Sequence, residues 1–91
     1  MPRGKREMPT RLPEKLKKIR LDSGLFQHQM RWIIQPNSKK DHSNPPISEY
    51  EIGRRAPSLM EILRYARHGG VTIESILDDE KELEKINQIH E

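Results

Sequence analysis

Residues 47–63 read ISEYEIGRRAPSLMEIL. Ile47 and Tyr50 stand three apart, the spacing of one helix face, and Gly53 ends that pattern. Leu59, Ile62, Leu63 and Ala66 then recur at intervals of three and four. Pro57 and Ser58 start this second helix, because proline suits a first turn and a serine hydroxyl accepts from otherwise unpaired N–H groups. The backbone therefore has to turn at Gly53, and just there it carries Arg54 and Arg55. Two fixed positive charges on a short turn between helices suggest a grip on an anion such as phosphate.

The rest of the chain repeats the helical signals. LPEKLKKIRLDSG (12–24) places Leu16, Ile19 and Arg20 on one face, with Pro13 in the first turn and Gly24 as the stop. FQHQMRWII (26–34) follows after a very short turn, with Phe26, Met30, Ile33 and Ile34 at helical spacing and Pro36 closing it. QPNSKKDHSN (35–44) is polar and aperiodic, hence a loop. Asn44 as N-cap and Pro45 at the first position would open the third helix, expected over about 44–52. Gly69-Gly70 ends the fourth, and Thr72 caps a short fifth through Ile73, Ile76 and Leu77. Nothing alternates as a strand would. The expected fold class is all-α, a five-helix domain over 12–79. A basic, flexible N-terminal arm (1–11) precedes it. An acidic tail (80–91) follows, with Leu83, Ile86 and His90 on a weak stripe that suits a frayed or partner-dependent helix.

Composition limits what the domain can be. At 91 residues its core is small, and without cysteine neither a disulfide nor a thiolate metal site is available. The formal charge of +3 is unevenly spread: +6 over residues 1–20, +2 over 21–72 and −5 over 73–91. A basic front with an acidic end suits a polyanionic partner. No uncharged apolar run is long enough to span a bilayer, and no apolar signal segment follows the basic start, so a cytoplasmic protein is expected, associated with the nucleoid when bound.

Catalysis finds little support. Asp41, His42 and Ser43 are consecutive on a polar loop and cannot reach triad geometry without unusual backbone. His28, His68 and His90 are scattered, and Asp78, Asp79 and Glu80 lack the alternation and glycine of a calcium loop. No enzyme activity, metal or cofactor is expected.

RLDSGLFQ (20–27), ISEYEIGRRAPSLMEILRYA (47–66) and GVTIESIL (70–77) together resemble the phage-repressor-like, Cro/XRE-type helix-turn-helix family over roughly residues 12–79. The resemblance implies a lambda-repressor-like domain that binds double-stranded DNA as a transcriptional regulator, with the third helix in the major groove. It further implies phosphate contacts from Gln27, Arg54 and Arg55, base contacts from Asn44, Ser48 and Glu49, and an ion pair between Arg20 and Glu51. That pair is expected to matter more for stability than Glu61 does.

The chain also departs from the family pattern. The loop between helices 2 and 3 is extended and carries Lys39 and Lys40, which could reach the DNA backbone. Phe26 stands where Ser or Thr usually caps helix 2, Arg31 replaces a small residue, and Gly69 replaces a core Leu. Pro45 and Pro46 supply no donors where bases are read. A homodimer is expected, with Ile73, Ile76, Leu77, Leu83, Ile86 and Ile89 as the candidate surface. The alternative is a protein-interaction or antitoxin-type module on the same scaffold, which would engage its partner through the acidic tail.

Overall fold

The computed structural model describes residues 8–37 and 44–86. Lys39, Lys40, the 41–43 segment, most of the N-terminal arm and residues 87–91 with Ile89 and His90 lie outside them. Among the described residues the chain is all-helical: α1 Leu12–Asp22, α2 Gln27–Ile34, α3 Ile47–Glu51, α4 Leu59–Gly69 and α5 Ile73–Leu77. No strand forms among the described residues, although Val71 and Lys85 make an isolated antiparallel bridge.

Each helix turns its apolar stripe inward. Leu12, Leu16 and Ile19 of α1, Met30 and Ile34 of α2, Ile47 and Tyr50 of α3, Ile62, Tyr65 and Ala66 of α4 and Ile76 of α5 form one core with Val71. Leu59 does not join it. As the first residue of α4 it is 82% exposed, and Phe26, the N-cap of α2, is 69% exposed. Both positions precede the turn whose inner face reaches the core, so their side chains lean outward from the helix start.

Helix α3 is shorter than the expected 44–52. It begins at Ile47 with Pro46 as an extended N-cap that makes no side-chain capping bond. A residue before proline is pushed into extended backbone, so the Pro45-Pro46 pair holds Asn44 and Pro45 out of the helix. Their carbonyls are used instead: Asn44 accepts from Arg31 Nη2 at 3.1 Å and Pro45 from Gln35 Nε2 at 2.9 Å. Arg31, where the family pattern has a small residue, thus ties the end of α2 to the start of α3. Gly69 lets α1 approach closely, because a Cβ there would lie 3.0 Å from Ile19 Cγ2 and Ile19 would have to shift.

A buried polar chain joins α2, α3 and α4. Gln35 Nε2 donates to Tyr50 Oη at 3.0 Å, and Tyr50 Oη donates to Glu61 Oε1 at 2.6 Å. Burial, and then the bond to Glu61, push the Tyr50 phenol well above its ordinary value and keep it a donor. Glu61 also closes a capping box with Ser58, accepting from Ser58 N–H at 2.9 Å while its own N–H donates to Ser58 Oγ at 3.2 Å. Glu61 is therefore a buried junction of α3 with the start of α4. Tyr65 is fully buried as well, yet its hydroxyl has no hydrogen-bond partner among the described residues.

The tail is not helical over 80–86. It runs back along the domain: Thr72 N–H donates to Glu84 O at 2.9 Å and Ile86 N–H to Gly70 O at 2.8 Å, which removes the backbone groups a helix would need. Leu83 and Leu77 pack against the core and Ile76 is fully buried. Of the proposed dimer surface, Ile73 and Ile86 remain exposed. The segment before α1 meets the segment after α5 at Asp79, whose carboxylate accepts the N–H groups of Thr10 and Arg11, both at 2.9 Å, and so caps α1 from outside the helix. Arg11 reaches back to Asp79 O and to Glu82 Oε1, the latter at 2.8 Å. Lys15, inside the α1 apolar stripe, is buried and donates to Ser75 O and Asp78 O, each at 2.7 Å, at the end of α5.

Two outcomes are expected. Tyr50→Phe should cost about 1–3 kcal/mol in urea unfolding, because buried Gln35 and Glu61 lose a partner, whereas Tyr65→Phe should leave stability unchanged or raise it. Asp79 is held below its ordinary range, first by the Arg11 N–H and then by the Thr10 N–H, and Glu82 chiefly by the Arg11 guanidinium. A depressed carboxylate stabilises the fold above its unfolded pKa and stops doing so as pH falls through its folded one. The melting temperature should therefore fall on acidification below about pH 4. In Asp79→Asn it should start lower and fall less over that window.

Candidate nucleic-acid interface

The turn after α3 is built by backbone bonds. Gly53, at φ 82°, takes the left-handed conformation, its N–H donates to Tyr50 O at 3.3 Å and the Arg54 N–H donates to Glu49 O at 2.9 Å. This pair of bonds is a Schellman closure, and it forces the next residues outward. Arg54 is exposed and its guanidinium makes no bond among the described residues. Arg55 is also exposed, and its Nε lies 3.5 Å from Glu49 Oε1. A Cβ at position 53 would stand 3.3 Å from Pro13 Cγ, so α1 also presses on this turn.

At the same end of α3, Glu51 joins three helices. Arg20 Nε donates to Glu51 Oε2 at 2.7 Å and Arg20 Nη2 to Oε1 at 3.1 Å, with the two side chains only 10% and 3% exposed. Arg20 Nη1 adds a bond to Leu25 O at 2.9 Å, where the chain passes from α1 to α2. Gln27, the first residue of α2, donates through Nε2 to Glu51 Oε1 at 3.1 Å. The structure thus brings Arg20, Gln27 and Glu51 together, with Gln27 itself exposed.

The start of α2 offers donors as well. Phe26 cannot cap with its side chain, and Gln29 Oε1 accepts its N–H at 2.8 Å instead. The N–H groups of Gln27 and His28 find no acceptor among the described residues. Beside them a shallow cleft of about 200 Å³ is lined by Gln27, His28, Arg31, Pro46, Ile47 and Ser48. Ser48 is partly exposed at this cleft. Asn44 lies before α3, so it is not a residue of that helix, and Glu49 is turned toward Arg55.

Several residues that matter here were not singled out from sequence. Arg64 Nη1 donates to Ile34 O at 2.9 Å, and Lys85 Nζ to Gly69 O at 3.1 Å, so these cations cap helix ends as Lys15 does. Lys15 had a visible signal, since it lies between Leu12 and Leu16 on the apolar stripe. Arg64 had none, because its acceptor is 30 residues away. Phe26 stacks on His28 with ring centroids 6.0 Å apart, and His28 meets Trp32 edge-on at 5.6 Å, an aromatic strip along α2.

No family model matches the chain, and no curated protein or solved structure matches it either. No helix among the described residues is long and apolar enough to cross a membrane. The described residues also contain no group of acids and histidines that could hold a metal ion.

Gly53→Ala should destabilise the domain by about 1–2 kcal/mol in urea unfolding, since an alanine pays for left-handed backbone that glycine adopts without strain. An unchanged midpoint would show that the turn can rebuild without its closure.

Proposed function

We propose that this chain is a lambda-repressor-like, Cro/XRE-type helix-turn-helix module that binds double-stranded DNA as a transcriptional regulator. The Arg20–Glu51–Gln27 junction carries this reading. It locks α1, α2 and α3 together at the end of α3 from which Arg54 and Arg55 project. Gln27 and the unpaired N–H groups at the start of α2 are donors suited to phosphate oxygens, helped by the positive end of the helix. Arg54 and Arg55 supply charge to the same backbone. Ser48 is the α3 donor facing base edges, with Glu49 as an acceptor, and Lys39 and Lys40 on the extended loop would add phosphate affinity. A homodimer would set two such helices in successive major grooves.

One observation favours the other reading, a protein-interaction or antitoxin-type module. Ile52 and Leu59 are 70% and 82% exposed around the arginine turn, more apolar surface than phosphate contact requires. Titration of labelled duplex DNA separates the two. On the DNA reading, Arg54→Ala weakens binding to all sequences alike and lowers the salt slope by about 0.9, while Ser48→Ala changes preference at one base position by about 1–3 kcal/mol. Binding that is absent, or insensitive to salt, would favour the interaction module.

A further inference from the structure

Glu49 holds Arg55 in two separate ways. Its main-chain oxygen accepts the N–H groups of Arg54 at 2.9 Å and Arg55 at 3.2 Å, and these bonds build the turn. Its carboxylate adds an ion pair to the Arg55 guanidinium at 3.5 Å, which the backbone closure does not need. The Arg55 side chain is 60% exposed in that pair and the Glu49 side chain 27%. At 3.5 Å and with an exposed guanidinium the contact is loose, so Arg55 can exchange it for another partner.

A carboxylate beside a phosphate-binding turn lowers affinity for every polyanion, so its presence asks for a compensating role. The chemistry of a duplex offers one. In the major groove a carboxylate can accept from the cytosine N4 amino group, the usual base partner of Glu and Asp, and this satisfies Glu49 near DNA without a cation. Pro45 and Pro46 remove the donors that would otherwise read bases at the start of α3.

Resting on the DNA-binding reading above, we infer that the Glu49–Arg55 pair is a specificity latch. On a site that presents a cytosine amino group to α3, Glu49 leaves Arg55 for that donor and Arg55 moves to a backbone phosphate. On other sequences Glu49 keeps Arg55, and both contacts are lost together. Base recognition and phosphate affinity are then coupled through one ion pair. Glu49 acts on affinity through Arg55 and on sequence through its own carboxylate.

The test uses the full chain, fluorescence anisotropy, and a fluorescein-labelled duplex of mixed sequence over a salt series. The proteins are wild type, Glu49→Gln, Arg55→Ala and the double variant. Glu49→Gln keeps the main-chain bonds of the turn. It should bind the mixed duplex about two- to fivefold more tightly, with a salt slope steeper by about 0.9. In the Arg55→Ala background the same replacement should give no such gain. An equal gain in both backgrounds would make Glu49 a bulk negative charge, overturning the latch and leaving the DNA reading standing. Failure of all four proteins to bind the duplex would overturn both. Selection from a random duplex pool gives a second readout. Wild type should enrich a cytosine at one position that Glu49→Gln does not, and identical enrichment by the two would also overturn the latch.

Discussion

The position of α3 depends on a buried ion pair. Arg20 and Glu51 meet through two hydrogen bonds, at 2.7 and 3.1 Å, with both side chains almost wholly out of water. Taking two charges from solvent is costly, and the geometry here offsets that cost by satisfying their remaining groups: Leu25 O accepts from Arg20 and Gln27 donates to Glu51. A helix of five residues has no independent stability, because it has barely passed the unfavourable nucleation step. Its location is therefore decided by what grips it. Ile47 and Tyr50 are held by the core, Glu51 by Arg20, and the Tyr50 hydroxyl by Gln35 and Glu61.

Charge in this chain serves two separate purposes. Lys15, Arg64 and Lys85 place their cationic ends on carbonyls at helix C-termini, where the backbone leaves acceptors unpaired and the helix dipole is negative. Arg11 holds the returning tail and Arg31 the start of α3. A charge count assigns all of these to a polyanion partner. The folded chain leaves Arg54, and Arg55 through a weak pair, as the exposed cations of the α3 turn. The basic front of the sequence thus says less about a partner than its sum implies, since Arg11, Lys15 and Arg20 are engaged within the domain.

The segments before α1 and after α5 are coupled by the same economy of backbone groups. Helix α1 lacks a side-chain cap of its own, and Asp79 supplies one from just beyond α5. The residues after α5 then run back beside Val71 instead of extending as a helix. The apolar stripe expected of the tail does not form over residues 80–86, where Leu83 packs against the core and Ile86 is exposed.

Local rules were enough to place the helices in the sequence. The spacing of apolar residues, Pro13, Gly24, Gly53, Pro57 with Ser58, and Thr72 act within one or two turns, so the all-α class and most helix limits were legible from residues 12–77 alone. The Gly53-Arg54-Arg55 turn was legible for the same reason, its closure being a bond between residues five apart. The Arg20–Glu51 pair was legible only through resemblance to a family, since 31 residues separate its members. Tertiary structure alone decided the rest. The Tyr50–Glu61–Gln35 chain, the Lys15 and Arg64 caps and the Asp79 cap on α1 each join groups distant in sequence. Their partners are chosen by which carbonyls and carboxylates the packed helices leave unpaired, a quantity that does not exist until the core has formed.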